Sequence, residues 1–129
     1  MNMIDHLSVG VSDIDKACNF YNGLMTILGC ELLAKSDAFA AYGKTAPQFL
    51  LMLPADGGQS SAGNGTHIAV VAKDKITVDA AHRYAMEMDA QCNGMPGPRE
   101  AYPKPDVYTA FVIDPFGNKL EFIYNGFAA

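Results

Sequence analysis

Cysteine is scarce in this sequence of 129 residues. Cys18, Cys30 and Cys92 are the only three, and no two of them are spaced as C-x-x-C. Three scattered cysteines are too few for a disulfide framework or a paired-cysteine metal motif. We therefore expect each to be a reduced side chain that acts as a small apolar filler.

Long apolar runs and basic clusters are also missing. No stretch approaches the roughly 20 consecutive apolar residues that span a bilayer. The opening segment, MNMIDHLSVG, has no basic region before its first apolar residues, which is not typical of a secretory signal. The net charge of −5 disfavours nucleic acid, because a protein that binds phosphates needs a basic face. These absences predict a cytoplasmic protein with neither membrane nor nucleic-acid partners.

The composition that remains is that of a globular protein, and the length favours a single domain over residues 1–129. Residues 4–11 alternate apolar and polar side chains, which predicts a strand. Ser12 and Asp13 then offer a helix N-cap, and apolar residues recur at helical spacing until Gly29. Three further strands are predicted over 31–36, 38–43 and 47–53.

The same order follows a Gly- and Ser-rich stretch, PADGGQSSAGNG, at residues 54–65. Its composition is typical of a flexible surface linker. Beyond it the patterns predict a strand at 66–72, a helix at 74–90, and strands at 91–97, 107–113 and 118–124. The last two are joined by DPFGN, a turn sequence.

The chain is thus predicted to contain two βαβββ modules. The first covers about 3–54, the linker 55–65, and the second about 66–125. His6 and His67, 61 residues apart, lead the first strands of the two modules. Repeats of this size imply an α+β fold with pseudo-twofold symmetry, in which neither half buries its sheet alone.

One acidic residue interrupts the last strand. In KLEFIY, Leu120, Phe122 and Tyr124 form the apolar face, and Glu121 points the other way. His6 and His67 also lie opposite their apolar stripes, so one concave surface can receive two imidazoles and one carboxylate. That set suits a divalent metal with open positions, such as Fe, Mn, Zn or Ni. The alternative is that each histidine is a hydrogen-bonded structural residue and the glutamate lies on a solvated face.

Three further polar or aromatic side chains, His82, Tyr102 and Tyr108, lie outside this set. His82 lies in the second predicted helix, where it is expected at the helix surface or against the sheet, without a catalytic role. Tyr102 and Tyr108 flank YPKPDVY, where they either line the mouth of a cavity or pack a loop.

Three segments resemble the vicinal-oxygen-chelate superfamily, which includes glyoxalases, bleomycin-resistance proteins and extradiol dioxygenases. They are DHLSVGVSDIDKACNFYNGLMTILG, GNGTHIAVVA and FVIDPFGNKLEFI, and the resemblance extends from about residue 3 to 125. It implies a curled mixed sheet that forms an open cup, with His6, His67 and Glu121 as ligands of one divalent ion. Relatives of the glyoxalase I type take a fourth ligand from the first module, where the repeat places Leu50. Leucine binds no metal, so the resemblance implies a three-ligand site and disfavours the glyoxalase I reaction. Phe116 also departs from the Asp usual in the family's closing turn.

The resemblance implies an enzyme whose metal binds two adjacent oxygens of a small substrate. Ser8, close to His6, is expected to hydrogen-bond this substrate, and other side chains are expected to line its space: Phe39, Phe49, Leu50, Tyr102 and Tyr108. The alternative is a metal-free protein that sequesters a small molecule, as bleomycin-resistance proteins do. Family members of this length are commonly homodimers, and the site forms within one chain or between two. The substrate, the reaction and the general base remain unassigned.

Overall fold

Each half of the chain folds as one strand, one helix and three further strands. The computed structural model describes residues 3–129, so Met1 and Asn2, which the predicted domain includes, lie outside the described residues. The first half contains β1 (Leu7–Gly10), α1 (Ile14–Ile27), β2 (Glu31–Lys35), β3 (Phe39–Gly43) and β4 (Phe49–Met52). The second half contains β5 (Ile68–Val71), α2 (Lys75–Glu87), β6 (Gln91–Pro98), β7 (Tyr108–Ile113) and β8 (Lys119–Tyr124). This order confirms the predicted pair of βαβββ modules and the α+β class.

The modules form two separate four-stranded mixed sheets with equivalent strand orders, β1-β4-β3-β2 and β5-β8-β7-β6. In each sheet the first strand is parallel to the last, and the other neighbours are antiparallel. Ser8 is paired with Leu50 in the first sheet, and Ala69 is paired with Glu121 in the second. Leu50 and Glu121 therefore occupy equivalent positions, as the alignment of the repeats predicts. Neither sheet closes on itself.

Both helices begin with an aspartate at the same place in the repeat. Asp13 caps α1 by accepting a hydrogen bond from the backbone N–H of Lys16 at 2.9 Å. Asp74 caps α2 by accepting bonds from the backbone N–H and the hydroxyl of Thr77, at 2.7 and 2.6 Å. Such bonds satisfy N–H groups that have no partner inside the helix. Of the two candidate caps in the first module, Asp13 rather than Ser12 is the one used.

The core lies between the sheets and the helices that cover them, and it includes residues of both modules. The two helices meet where the hydroxyl of Tyr84 donates to the carbonyl of Phe20 at 2.9 Å. Gly23 makes this approach possible, because a Cβ at that position would lie 2.5 Å from the Tyr84 hydroxyl. His82 is also buried, and its Nε2 lies 3.2 Å from Sγ of Cys92 in β6. It is thus a helix–sheet contact rather than a surface residue.

A loop joins the two modules. Residues 54–65 contain neither helix nor strand, as predicted for the linker. All three cysteines are free thiols: Cys18 is buried, Cys30 is half-buried and Cys92 is exposed, so only the first two fit the prediction of apolar fillers. No helix in residues 3–129 has the length and apolar character needed to cross a membrane.

Candidate metal centre

Glu121, in the middle of β8, is a carboxylate with no exposed surface. Its Oε1 lies 3.1 Å from Nε2 of His67. Its Oε2 accepts hydrogen bonds from the hydroxyl of Tyr102 and, at 2.7 Å, from the hydroxyl of Thr109. A buried carboxylate needs such partners because the loss of hydration is costly for a charged group. One oxygen is therefore held by two hydroxyls, and the other faces an imidazole.

Strand geometry explains how these side chains meet. His67 immediately precedes β5, and Glu121 is paired with Ala69 in β5 and with Phe111 in β7. Side chains alternate between the two faces of a strand, so His67 and Glu121 emerge on the face opposite α2. Tyr102 reaches the same face from the loop between β6 and β7. Burial, with the bond to Glu121, raises the pKa of Tyr102 to about 12, and Tyr102 is therefore a protonated donor at neutral pH.

A cavity of about 250 Å³ opens beside this pair. Ala69, Val71 and Ile123 give it an apolar floor, and residues 125–129 pass along its side. The ring of Phe127 lies against that of Tyr102, with 5.4 Å between the centroids. The lining of the cavity therefore combines apolar side chains with the imidazole of His67 and the carboxylate of Glu121.

His6 belongs to the other module. It immediately precedes β1, its side chain is 55% exposed, and its Nδ1 lies 2.6 Å from Oδ1 of Asp5. It shares a surface depression with Gln48 and Leu50. Within residues 3–129, no three His, Cys, Asp or Glu side chains are grouped closely enough to hold a metal ion. One chain thus brings His67 and Glu121 together and leaves His6 apart from them.

The sequence comparisons agree with this architecture. The family model described as the Glyoxalase/Bleomycin resistance protein/Dioxygenase superfamily matches residues 3–122. The chain belongs to this superfamily. No protein of curated function matches the chain.

Solved structures of superfamily proteins superpose closely on the chain. A glyoxalase/bleomycin resistance protein from Albidiferax ferrireducens T118 is 26% identical, with a TM-score of 0.87 and coverage of 97% of this chain and 100% of the other. A glyoxalase/bleomycin resistance protein/dioxygenase from Alicyclobacillus acidocaldarius is 25% identical, with a TM-score of 0.65 and coverage of 95% and 91%. A glyoxalase-related enzyme from Fulvimarina pelagi is 14% identical, with a TM-score of 0.73 and coverage of 97% and 89%, and shows likeness of fold alone.

The predicted substrate-contacting residues fall into three groups. Tyr102 lies at the His67–Glu121 pair. Ser8, Leu50 and Phe39 lie on the open face of the first sheet. Leu50 is paired with Ser8 in β1 and with Ala41 in β3. Phe39 is two residues before Ala41, so its side chain lies on the same face.

Phe49 and Tyr108 lie on the helix-covered side of their sheets. Phe49 is buried with its ring 5.4 Å from that of Tyr21, and the hydroxyl of Tyr108 donates to Asp79 of α2 at 2.6 Å. Their strand positions have the opposite parity to Leu50 and Glu121, so neither can line the open face.

Two contributors to the site were not predicted from the sequence. Thr109 donates a hydrogen bond to Glu121, although it belongs to a mostly apolar strand, YTAFVI. The sequence indicates only that Thr109 and its neighbour Tyr108 point to opposite faces of that strand. Phe111 lies directly opposite Glu121, and its ring centroid is 5.9 Å from that of His67. Cross-strand register reveals both, and register follows from pairing rather than from either strand alone.

Proposed function

We propose that this protein is a divalent-metal-dependent enzyme that acts on a small molecule with two adjacent oxygens. The observation that carries the proposal is the 3.1 Å separation of His67 Nε2 and Glu121 Oε1. Two donors bound at right angles to one ion, each at roughly 2.0–2.2 Å, are about 3 Å apart. The pair therefore fits two neighbouring ligands of one ion.

The surroundings of Glu121 support a ligand role. Thr109 and Tyr102 both donate to Oε2, which leaves Oε1 as the oxygen directed at His67. Partners of this kind orient a ligand and limit its alternative positions. Oε1 is thus the oxygen of Glu121 that would bind an ion.

A second copy of the chain is the proposed source of the third ligand, His6. β1 and β5 each stand at the end of their sheet, so each has one edge without a strand partner in residues 3–129. A twofold dimer that brings β1 of one chain beside β5 of the other would form this contact twice and use the free edge of all four strands. His6 and His67 precede those two strands, so the same contact would bring both imidazoles to one site.

The ligand set agrees with the chemistry expected of the superfamily. Two imidazoles and one carboxylate suit Fe, Mn, Zn or Ni and leave positions open for substrate. A bound ion would polarise the two substrate oxygens and stabilise negative charge that develops on them. Leu50 stands where a fourth ligand would be needed, so it offers only apolar contact. The cavity beside Glu121 supplies further apolar surface that excludes water.

Metal analysis of protein purified without chelator tests the proposal. We expect about one divalent ion per chain, and we expect that ion to be lost in Glu121→Gln and His67→Gln, since each removes one of few protein ligands. His82→Gln is the matched control, because His82 contacts Cys92 on the far side of the sheet. A wild-type protein that neither carries nor takes up Fe²⁺, Mn²⁺, Ni²⁺ or Zn²⁺ contradicts the proposal.

A metal-free binding protein is the second candidate, and one observation favours it. Every buried side-chain nitrogen and oxygen in residues 3–129 already has a hydrogen-bond partner, including both oxygens of Glu121. Under this alternative Glu121 shapes the cavity and needs no ion. The two candidates separate in the metal titration, because the binding protein would take up no ion and yet bind a small apolar ligand.

A further inference from the structure

Two cations lie over one aromatic ring beside the candidate metal centre. The guanidinium carbon of Arg99 is 5.9 Å from the centroid of Phe111, and Nζ of Lys119 is 5.2 Å from it. Phe111 is opposite Glu121, and its ring contacts that of His67. Lys119 is two residues before Glu121 in β8, so it shares the same face. Both positive charges therefore stand on the face that carries the donor pair.

Neither of these cations has an acidic partner within residues 3–129. The three ion pairs found within residues 3–129 use other side chains. Arg99 is held instead by backbone carbonyls, with Nη2 donating to Met95 at 2.7 Å and Nη1 to Pro98 at 3.2 Å and to Gly97 at 3.4 Å. Arginine has five N–H donors, so two of them remain available for an anion. The chain has a net charge of −5, so two cations around one ring, without acidic partners among the described residues, make this region locally positive.

The backbone of β6 is shaped to admit the guanidinium. A Cβ at Gly94 would lie 3.0 Å from Nη2 of Arg99 and 3.4 Å from Cβ of Phe111, so a side chain there would crowd both. Gly94, in the segment NGMPGPR, thus leaves room for Arg99 beside Phe111. The guanidinium is therefore held by hydrogen bonds to the strand and by contact with the ring.

We infer that Arg99 and Lys119 form a subsite for an oxyanion, and that the ligand of this protein carries a carboxylate or a similar group. This inference rests on the proposed function for the other end of the ligand, whose adjacent oxygens are assigned to His67 and Glu121. The planar guanidinium matches a carboxylate through two parallel hydrogen bonds, and Lys119 adds a second positive charge. Phe111 forms an apolar surface between the two ends.

Two matched probes test the subsite in metal-loaded protein. Catechol and 3,4-dihydroxybenzoate both chelate through adjacent oxygens, and only the second has a carboxylate. By calorimetry with Mn²⁺-loaded protein at low salt, we expect the carboxylate probe to bind at least about tenfold more tightly. Arg99→Gln with Lys119→Gln should bring the two affinities to within about twofold, and Mn²⁺ binding should remain unchanged. Arg83→Gln with Lys16→Gln, which removes the same two positive charges from exposed helix positions, should keep the preference.

A second experiment uses metal-free protein and distinguishes failure of the metal proposal from failure of the oxyanion subsite. Benzoate and neutral benzamide are titrated into metal-free protein, and chemical shifts of Phe111 and Gly94 are followed by NMR. We expect benzoate alone to shift these signals, and the double variant to lose the effect. If no metal binds but this result holds, the metal proposal fails and the subsite stands. If both probes of either pair bind alike in wild type, or the double variant keeps the preference, the subsite is overturned.

Discussion

The carboxylate of Asp114, in the DPFGN turn, connects the two modules. It is buried, and Oδ1 accepts bonds from the backbone N–H groups of Phe116 and Asn118, both at 2.8 Å. Its Oδ2 accepts from the hydroxyl of Tyr21 in α1 at 2.5 Å, and Asn118 donates to the carbonyl of Gly10 at 2.9 Å. The turn keeps these bonds although Phe116 departs from the family pattern, because Phe116 contributes its backbone N–H. The aspartate of this turn thus serves the packing of the two modules against each other.

Asp114→Asn is expected to lower the free energy of unfolding by about 2–3 kcal/mol. The amide would place an N–H donor against the Tyr21 hydroxyl and the Asn118 side chain, both of which donate to Oδ2 in the wild type. Urea denaturation measures the change. Asp37→Asn, an equal change at an exposed residue, is the control, and similar losses in both variants would contradict the assignment.

His82 should make stability depend on pH. Burial lowers its pKa below the ordinary 6.5, and Asp79 opposes this only in part. Below about pH 6.5 the unfolded chain binds a proton at His82 more readily than the folded chain does. The stabilising contribution of neutral, buried His82 is therefore complete above that pH and is lost on acidification. Thermal midpoints between pH 7.5 and 5 should therefore fall more steeply for wild type than for His82→Gln. Parallel pH profiles would show that another group is responsible.

At the scale of elements, the two helices start in the same way for the same reason. Asp13 and Asp74 are 61 residues apart, the separation that also relates His6 to His67. Each satisfies a backbone N–H that has no partner inside its helix. Hydrogen bonds from Thr77 hold the pKa of Asp74 below its usual 3.8, so the ionised cap is the favoured form near neutral pH.

Asp74→Ala should lower the denaturation midpoint, because both bonds to Thr77 are lost. Asp74→Asn should lower it much less, since asparagine also caps helices. Chemical denaturation of the two variants at pH 7 gives the comparison. If alanine and asparagine destabilise equally, the cap has no energetic role.

At the scale of the whole molecule, the proposed dimer predicts complementation between defective chains. His6→Ala and His67→Ala proteins should each lose the metal, because every site in either homodimer lacks one ligand. A heterodimer of the two chains, purified through two different tags, should regain about one ion per dimer, since one of its two sites is intact. Metal content of the heterodimer, with its mass from sedimentation, is the measurement. No recovery in a verified heterodimer would mean that His6 does not act across chains.

The sequence alone was sufficient for the repeat, the order of the elements and the equivalence of Leu50 and Glu121. These follow from local causes, because side-chain periodicity, N-caps and turn residues act within a few positions along the chain. The same local signals put strand starts up to three residues early, since the strands predicted to start at residues 4 and 66 begin at Leu7 and Ile68.

Only the tertiary structure decided which side chains meet at Glu121. Tyr102, Thr109 and Phe111 reach it through the path of a loop and through cross-strand register, whereas Phe49 and Tyr108 lie on the helix-covered side of their sheets. Register depends on pairing between segments that are distant in sequence, so no single strand contains it. The separation of His6 from His67 within one chain has a similar origin. The repeat predicts that both residues precede the first strand of a module, and the placement of the two modules in space decides whether they meet.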